Sequence, residues 1–418
     1  VTTNTATTDS AGEPVVRPLV WLLLGDKHGD NAQVKALGRA MEWTAVTKQL
    51  YFDPSYPVPY RKRGATLDGL DLSASSPLSG PWPDIIIGIG QRSASTSRWI
   101  KDQTGGRAIN IRLGRPRTSL RHFDLVISTL QYGLSRSART MLLTLPFTRH
   151  EREEVDKAKS DWRTQFSGLP RPWTVVLVGG KNAHLRLDRV VVGDIVEALA
   201  RFHETHGGSL LFTTSPRTPA TVGSDLEQRL KRELPDIPHF LYRWKAGAPN
   251  PYGAMIAEAD TVIVTNDSVS MVADAAAHAK PLLVYPLPRK ASKAKAKPLR
   301  PIIRATCGWL ARRQEAGLPA TAFDLLYSWL TRTGIVRPPR NIPIVFARLE
   351  RLGAIRPLES GIAGSPVAAH VMYSERAAVV NRIRRLYAER NGLSVKTLGS
   401  QAYARQAGSL TTKSAGSH

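Results

Sequence analysis

The chain has a single cysteine, Cys307, in 418 residues. That excludes an internal disulfide and a cysteine-rich zinc site, and it fits a reducing compartment. Long apolar runs are missing as well. Stretches such as Ile85–Ile89 and Val175–Val178 fall far short of the ~20 residues that span a bilayer. The opening VTTNTATTDSAGEP has neither leading basic charge nor an apolar core, so it does not read as a secretory signal. A cytoplasmic protein without a membrane-spanning helix is expected. Acids are scarce against bases, 34 against 58, for a formal net charge of +24. The partner should therefore be anionic: nucleic acid, an acidic membrane surface or a phosphorylated small molecule.

Several motifs fail in informative ways. In IIIGIGQRSASTSRWI, Gly88 and Gly90 are followed by Ser93 where a dinucleotide fingerprint needs its third glycine. Asn110 stands where the acid should come ~20 residues on. With no Tyr-x-x-x-Lys pair in a suitable helix, an oxidoreductase or a nucleotide-sugar epimerase is disfavoured. No D-x-D element closes a strand, so no metal and no resident cofactor are expected. No nucleic-acid reader module is present, which leaves charge as the sole argument for that partner. Repeats of solenoid length are absent.

What is present is an alternation of short apolar runs with helix-length segments. Strands are predicted at Leu19–Leu24, Asp84–Gly88, Ala108–Arg112, Leu125–Ser128, Thr174–Val178, Ser209–Thr213, Thr261–Val264 and Leu282–Tyr285. This pattern predicts βαβ units and parallel sheets, hence an α/β protein of two Rossmann-like domains whose carboxyl edges meet a shared cleft. The predicted division is a disordered 1–16, an N-terminal domain 17–148 and a charged interdomain helix and linker 149–170. A C-terminal domain 171–288, a basic, mainly helical extension 289–393 and a disordered tail 394–418 follow. The extension opens with PRKASKAKAKPLRPIIR, basic from Arg289 to Arg304 without an acid. Trp309, Leu310, Phe323, Leu325, Leu326, Trp329 and Leu330 supply its apolar faces, and 373–390 reads as one further basic helix.

Four strand-end loops carry candidate chemistry. In LLLGDKHGDNAQ, Asp30 and Gln33 fit a capping box with Asp30 as N-cap; alternatively Asp30 or His28 acts as a general base. The loop Gly88–Ser95 opens a helix able to hold an anion on its free N–H groups. In VVLVGGKNAH, Gly179 and Gly180 allow close backbone approach and Lys181 adds charge, although this is not a P-loop. In TNDSVSMVADAAAH, Asp267, Ser270 and Asp274 are spaced i, i+3, i+7 on one helix face, with Ser268 beside them. That suits a diphosphate at the helix start and a ribose diol one turn, about 6 Å, further on. Ser215 and Arg217 in TTSPRTP are candidates to clamp phosphate, and Tyr252 in NPYGAM to line a base pocket.

The order GDKHGDNAQ, DIIIGIGQRSA, FDLVIS, VVLVGGKNAH, TTSPRTP, NPYGAMIAEADTVIVTNDSVSMVADAAAHAKPLLVY resembles the mitochondrial-fission "elongated mitochondria" family and its bacterial relatives, over roughly Val20 to Tyr285. The family is similar in fold to GT-B glycosyltransferases. The resemblance implies an acceptor side in the first domain and a nucleotide-diphospho-sugar donor on the second. It implies diphosphate contacts from Gly180, Ser268 and Ser270, with Asp274 on the ribose where relatives usually carry Glu. Gly29-Asp30 matches the family's first loop and His28 stands one residue early, so Asp30 becomes the expected base. The expected function is sugar transfer by a bacterial protein, metal-independent given the missing D-x-D element; the cationic surface, with Arg289–Arg304, places it peripherally on an anionic inner leaflet and points to a lipid-linked or envelope acceptor. The implied alternative is a non-catalytic membrane-surface scaffold. Nothing in the sequence fixes an oligomeric state.

Overall fold

Val20, Leu22 and Leu24 point to one side of their strand, Trp21 and Leu23 to the other, and both sets are buried. A strand covered on both faces belongs inside a parallel sheet flanked by helices. The computed structural model describes residues 6–8, 14–56, 64–116, 118–148, 152–182, 184–290, 299–315, 319, 321–362 and 367–394. Within it the chain forms two compact units. Unit 1 comprises Val1–Arg149, Pro298–Asn341 and Tyr373–His418; unit 2 comprises His150–Lys297 and Ile342–Met372.

Unit 1 begins with a small antiparallel ladder, β1 (Ala6–Thr8) on β2 (Pro14–Val16). Of residues 1–16, expected to be disordered, the six of this ladder are described and the others lie outside the described residues; Thr7, Thr8, Val15 and Val16 are β-branched and favour extended backbone. Then come β3 (Val20–Leu24), α1 (His28–Met41), β4 (Ala45–Gln49), β5 (Ile85–Ile89), α2 (Ser93–Gln103), β6 (Ile109–Leu113), β7 (Leu125–Thr129) and β8 (Thr140–Leu143). Their parallel sheet has the order β4-β3-β5-β6-β7-β8.

Unit 2 repeats the plan. It runs α3 (Arg152–Phe166), β9 (Trp173–Val178), α4 (Arg189–His206), β10 (Ser209–Thr214), α5 (Ala220–Glu233), β11 (His239–Tyr242), α6 (Tyr252–Glu258), β12 (Thr261–Thr265), α7 (Val269–Ala277) and β13 (Leu282–Tyr285). The segment expected as an interdomain linker is part of this unit. Trp162 and Phe166 of α3 make edge-on ring contacts with Phe240, and Phe166 makes another with Trp173.

The 289–393 stretch is likewise divided rather than forming one extension. Helices α8 (Leu299–Glu315) and α9 (Ala322–Thr333) belong to unit 1; α10 (Pro343–Arg351) and the edge strand β14 (Arg356–Pro357) belong to unit 2. The sheet of unit 2 then has the order β11-β10-β9-β12-β13-β14, parallel throughout. From Tyr373 onward, α11 (Val367–Asn391) lies in unit 1, where Val379, Val380, Ile383 and Tyr387 join the cluster of Leu22, Val34, Leu37 and Ile85. The basic helix expected at 373–390 is therefore a core helix: Arg376 and Arg384 are buried, and Arg376 donates to the Thr148 hydroxyl at 2.7 Å. The tail beyond Ser394 and the centre of the basic stretch, 291–298, lie outside the described residues. Among the described residues no helix is long and apolar enough to cross a membrane.

Candidate functional site

In each six-stranded sheet the chain first builds to one side, adding β4 beside β3 in unit 1 and β10 and β11 beside β9 in unit 2, before it crosses to the other. The reversal falls between β3 and β5 in unit 1 and between β9 and β12 in unit 2. Open α/β sheets bind ligands at the carboxyl ends of such strand pairs. The four loops singled out in the sequence follow β3, β5, β9 and β12.

In unit 2 the loop after β9 closes on that after β12 through a buried carboxylate. Asp267 has no exposed surface; its Oδ2 accepts from the Gly180 N–H at 2.9 Å and its Oδ1 from the Thr265 hydroxyl at 2.7 Å. The Arg217 guanidinium approaches Oδ2 at 3.7 Å. A Cβ on Gly179 would stand 1.9 Å from Oδ1, and one on Gly180 would stand 2.2 Å from the carbonyl carbon of Arg217. Both glycines make room for protein atoms. Two expectations are thereby corrected. Asp267 precedes the N-cap Ser268, so it leaves the helix face shared by Ser270 and Asp274. Gly180 gives its amide to Asp267, so that N–H is not presented to a diphosphate.

Ser215 is also structural. Its hydroxyl lies 3.0 Å from that of Thr218 and accepts from the Arg217 N–H at 3.2 Å, closing a tight turn. Thr218 in turn donates to the Gly179 carbonyl, and the Lys181 N–H donates to the Arg217 carbonyl at 2.8 Å.

Of the remaining groups Lys181, Arg217 and Ser270 are exposed, whereas Ser268 is buried with its hydroxyl 3.3 Å from that of Ser270. The N-cap residue Ser268 makes no side-chain cap hydrogen bond among the described residues, and the positive end of the α7 dipole lies at this turn. Along α7, half-buried Asp274 accepts from the Tyr252 hydroxyl at 2.8 Å. Burial first, then the Asp274 charge, raises the Tyr252 phenol well above its ordinary range, which keeps it a donor.

In unit 1, α1 begins at His28 with Lys27 as N-cap, so the predicted capping box of Asp30 and Gln33 does not form. Asn31 closes the loop instead. Its Oδ1 accepts from the Gly25 N–H at 2.9 Å and its Nδ2 donates to the Gly25 carbonyl at 2.7 Å. His28 is exposed and Asp30 half-buried in the first turn. Burial raises the Asp30 carboxyl above its ordinary value, against the opposing charges of Lys27 and Arg112.

Arg112 was not singled out in the sequence, although a lone charge in the apolar run INIRL is the available signal. It is wholly buried in β6 and donates through Nη2 to the Gly90 carbonyl; Nε and Nη1 find no partner among the described residues. Burial lowers it to about 9. A Cβ on Gly88 would lie 2.9 Å from Nη1, so that glycine makes room for the guanidinium. Thus β3 and β5 end on a half-buried acid beside a buried base.

The chain is 28% identical to "Mitochondrial fission protein ELM1" of Arabidopsis thaliana over 224 residues, 48% of this chain and about half, 51%, of that protein. It is 22% identical to an uncharacterized protein of Rickettsia prowazekii (strain Madrid E) over 306 residues, 64% of this chain and 82% of that one. Among solved structures, UDP-GlcNAc 2-epimerase from Methanocaldococcus jannaschii superposes with a TM-score of 0.42 at 10% identity, covering 87% of this chain and 99% of that chain. The family model for mitochondrial fission ELM1 matches residues 28–299, a span that starts at the head of α1 and includes the loops after β5, β9 and β12, and the chain belongs to that family.

Proposed function

We propose that unit 2 binds a nucleotide-diphospho-sugar and that the protein transfers the sugar to an acceptor hydroxyl, in the manner of GT-B glycosyltransferases. The observation that carries this is the α7 N-terminus at the strand reversal. Its N-cap residue makes no side-chain cap hydrogen bond among the described residues, two serine hydroxyls lie at its mouth, and the exposed cations Lys181 and Arg217 stand on neighbouring loops. A diphosphate is the ligand such a helix end favours. Ser270 and Asp274 are one turn apart, so phosphate and ribose can be met by one helix face.

In the proposed reaction a general base takes the proton of the acceptor hydroxyl as its oxygen bonds to the sugar's anomeric carbon; Asp30, whose carboxyl is raised by burial, is the candidate that unit 1 offers for that role. The bond from that carbon to the diphosphate breaks, and the nucleoside diphosphate leaves with the electron pair, its charge met by the α7 N-terminus, Lys181 and Arg217. This scheme asks for no metal, so chelator should leave turnover unchanged. We extend the proposal to a lipid-linked or envelope acceptor, reached by a peripheral protein on the inner face of a bacterial membrane; the excess of basic residues supports it.

The test is a thermal-shift panel of UDP-, GDP-, ADP- and CMP-sugars. Ligand at about a hundred times its Kd stabilises by about 2.7 kcal/mol, a rise of roughly 5–10 °C for a unit of this size. One ligand should raise the melting temperature, and Ser270→Ala or Asp274→Asn should remove the rise. Silence across the panel at millimolar concentration sinks the proposal. A second reading, a non-catalytic scaffold, is favoured by one observation: the Gly180 amide is already filled by the chain's own Asp267.

A further inference from the structure

Helix α9 is built inside out. Asp324, Tyr327 and Thr331 are only 9%, 6% and 5% exposed, whereas Leu325, Leu326 and Trp329 are 64%, 52% and 51% exposed. The polar side is fastened to unit 1. Asp324 completes a capping box with Thr321, the Tyr327 hydroxyl donates to the Gly133 carbonyl at 3.0 Å, and the Ser119 hydroxyl donates to the Arg332 carbonyl at 3.0 Å. The apolar side is thus held outward by the fold. Exposed Phe323 and Trp309 stand ring to ring at 6.0 Å and extend the strip onto α8, where Ile302 is exposed too.

At the carboxyl end of α9 lies a cavity of about 410 Å³, lined by Thr118, Ser119, Arg121, His122, Thr333 and Arg337 together with Gly334 and Ile335. None of these is an acid. Burial, then the charges of Arg98 and Arg121, depress His122 to about 4, so the cavity's positive charge at neutral pH comes from guanidinium groups. Three hydroxyls and two arginines form a phosphate-type environment, and exposed Ile335 ties it to the apolar strip.

We propose that this face of unit 1 docks on an anionic phospholipid bilayer, with a lipid phosphate in the 118–122/333–337 cavity and Leu325, Leu326 and Trp329 entering the boundary between headgroups and acyl chains. An exposed apolar strip of this kind marks an interaction surface, and a tryptophan beside basic residues suits the interfacial layer. Charge selects the occupant. Exposed Arg312 and Arg332 lie on the two helices that carry the strip, exposed Arg121 lines the cavity, and the chain carries +24 overall. A second copy would bring like charges together, whereas each arginine gains on an anionic leaflet. Nucleic acid would satisfy the arginines and leave the leucines in water.

The test is co-sedimentation of the 418-residue chain with vesicles of phosphatidylcholine alone or mixed with phosphatidylglycerol. Binding is expected to the mixed vesicles only, weakening as salt rises. Leu326→Glu with Trp329→Glu should lower it more than tenfold. Arg121→Gln and Arg337→Gln should each lower it about fivefold. The milder pair Leu326→Ser and Trp329→Ser, with an unchanged melting curve, keeps the test valid if the glutamates disturb folding. Equal binding to neutral vesicles, full binding by the substituted chains, or light scattering showing a dimer that these substitutions dissolve would each overturn the proposal.

Discussion

A carboxylate without exposed surface must be matched by donors, and Asp267 is matched by the Gly180 amide and the Thr265 hydroxyl with Arg217 alongside. Asp267→Asn replaces one acceptor by a donor facing an N–H, at a cost of about 1–3 kcal/mol. Gly180→Ala forces a methyl to within 2.2 Å of backbone and costs about 1–3 kcal/mol or more. A thermal melt reads both, at about 2–4 °C per kcal/mol. Asp30 behaves differently because it makes no such bond among the described residues and burial raises its carboxyl above its ordinary value. If it is the base, Asp30→Asn lowers turnover roughly 10²–10⁴-fold and leaves the nucleotide-sugar thermal shift intact; loss of the shift would remove Asp30 from that role. Single residues were the least legible part of the sequence. Which side of a turn a carboxylate takes depends on partners distant in the chain: Asp267 and Gly180 are 87 residues apart.

At the scale of elements, the eight strands read from the sequence are β3, β5, β6, β7, β9, β10, β12 and β13, which are the interior strands of the two sheets. Within these two sheets the four missed, β4, β8, β11 and β14, are the edges; β1 and β2 of the small ladder were missed as well. Interior parallel strands are buried on both faces and read as unbroken apolar runs. By contrast β4 is mostly exposed, β11 is half-buried and β14 has two residues. Helix α9 inverts the usual reading, because periodicity reveals an apolar face and not what lies opposite it. Its buried polar side carries the Thr321–Asp324 capping box and the Tyr327–Gly133 hydrogen bond. Thr321→Ala should cost about 0.5–2 kcal/mol, seen as faster hydrogen exchange in the first turn of α9; unchanged exchange would mean the cap adds nothing.

On the scale of the whole molecule, the doubly wound plan was legible because it rests on alternation. The shared membership of 298–393 was not, since nothing local marks a helix that returns to an earlier sheet. Acid stability is also set at this scale. Burial first, then the charges of Lys280 and Lys159, lower His278 from 6.5 to about 4. The folded chain holds the ring neutral while the unfolded chain takes up a proton, so stability is full above about 6.5 and drains away as pH falls toward about 4. His278→Asn should flatten the fall in melting temperature across that window.

The return of α11 has a consequence during synthesis. The flank of unit 1 formed by Leu22, Val34, Leu37 and Ile85 is closed by Val379, Val380, Ile383 and Tyr387, which a ribosome adds only after all of β9 to β14. Throughout that interval the nascent N-terminal sheet carries an uncovered greasy flank. A chain halted before Tyr373 should therefore be retained by chaperones, and one extended through Asn391 should be released.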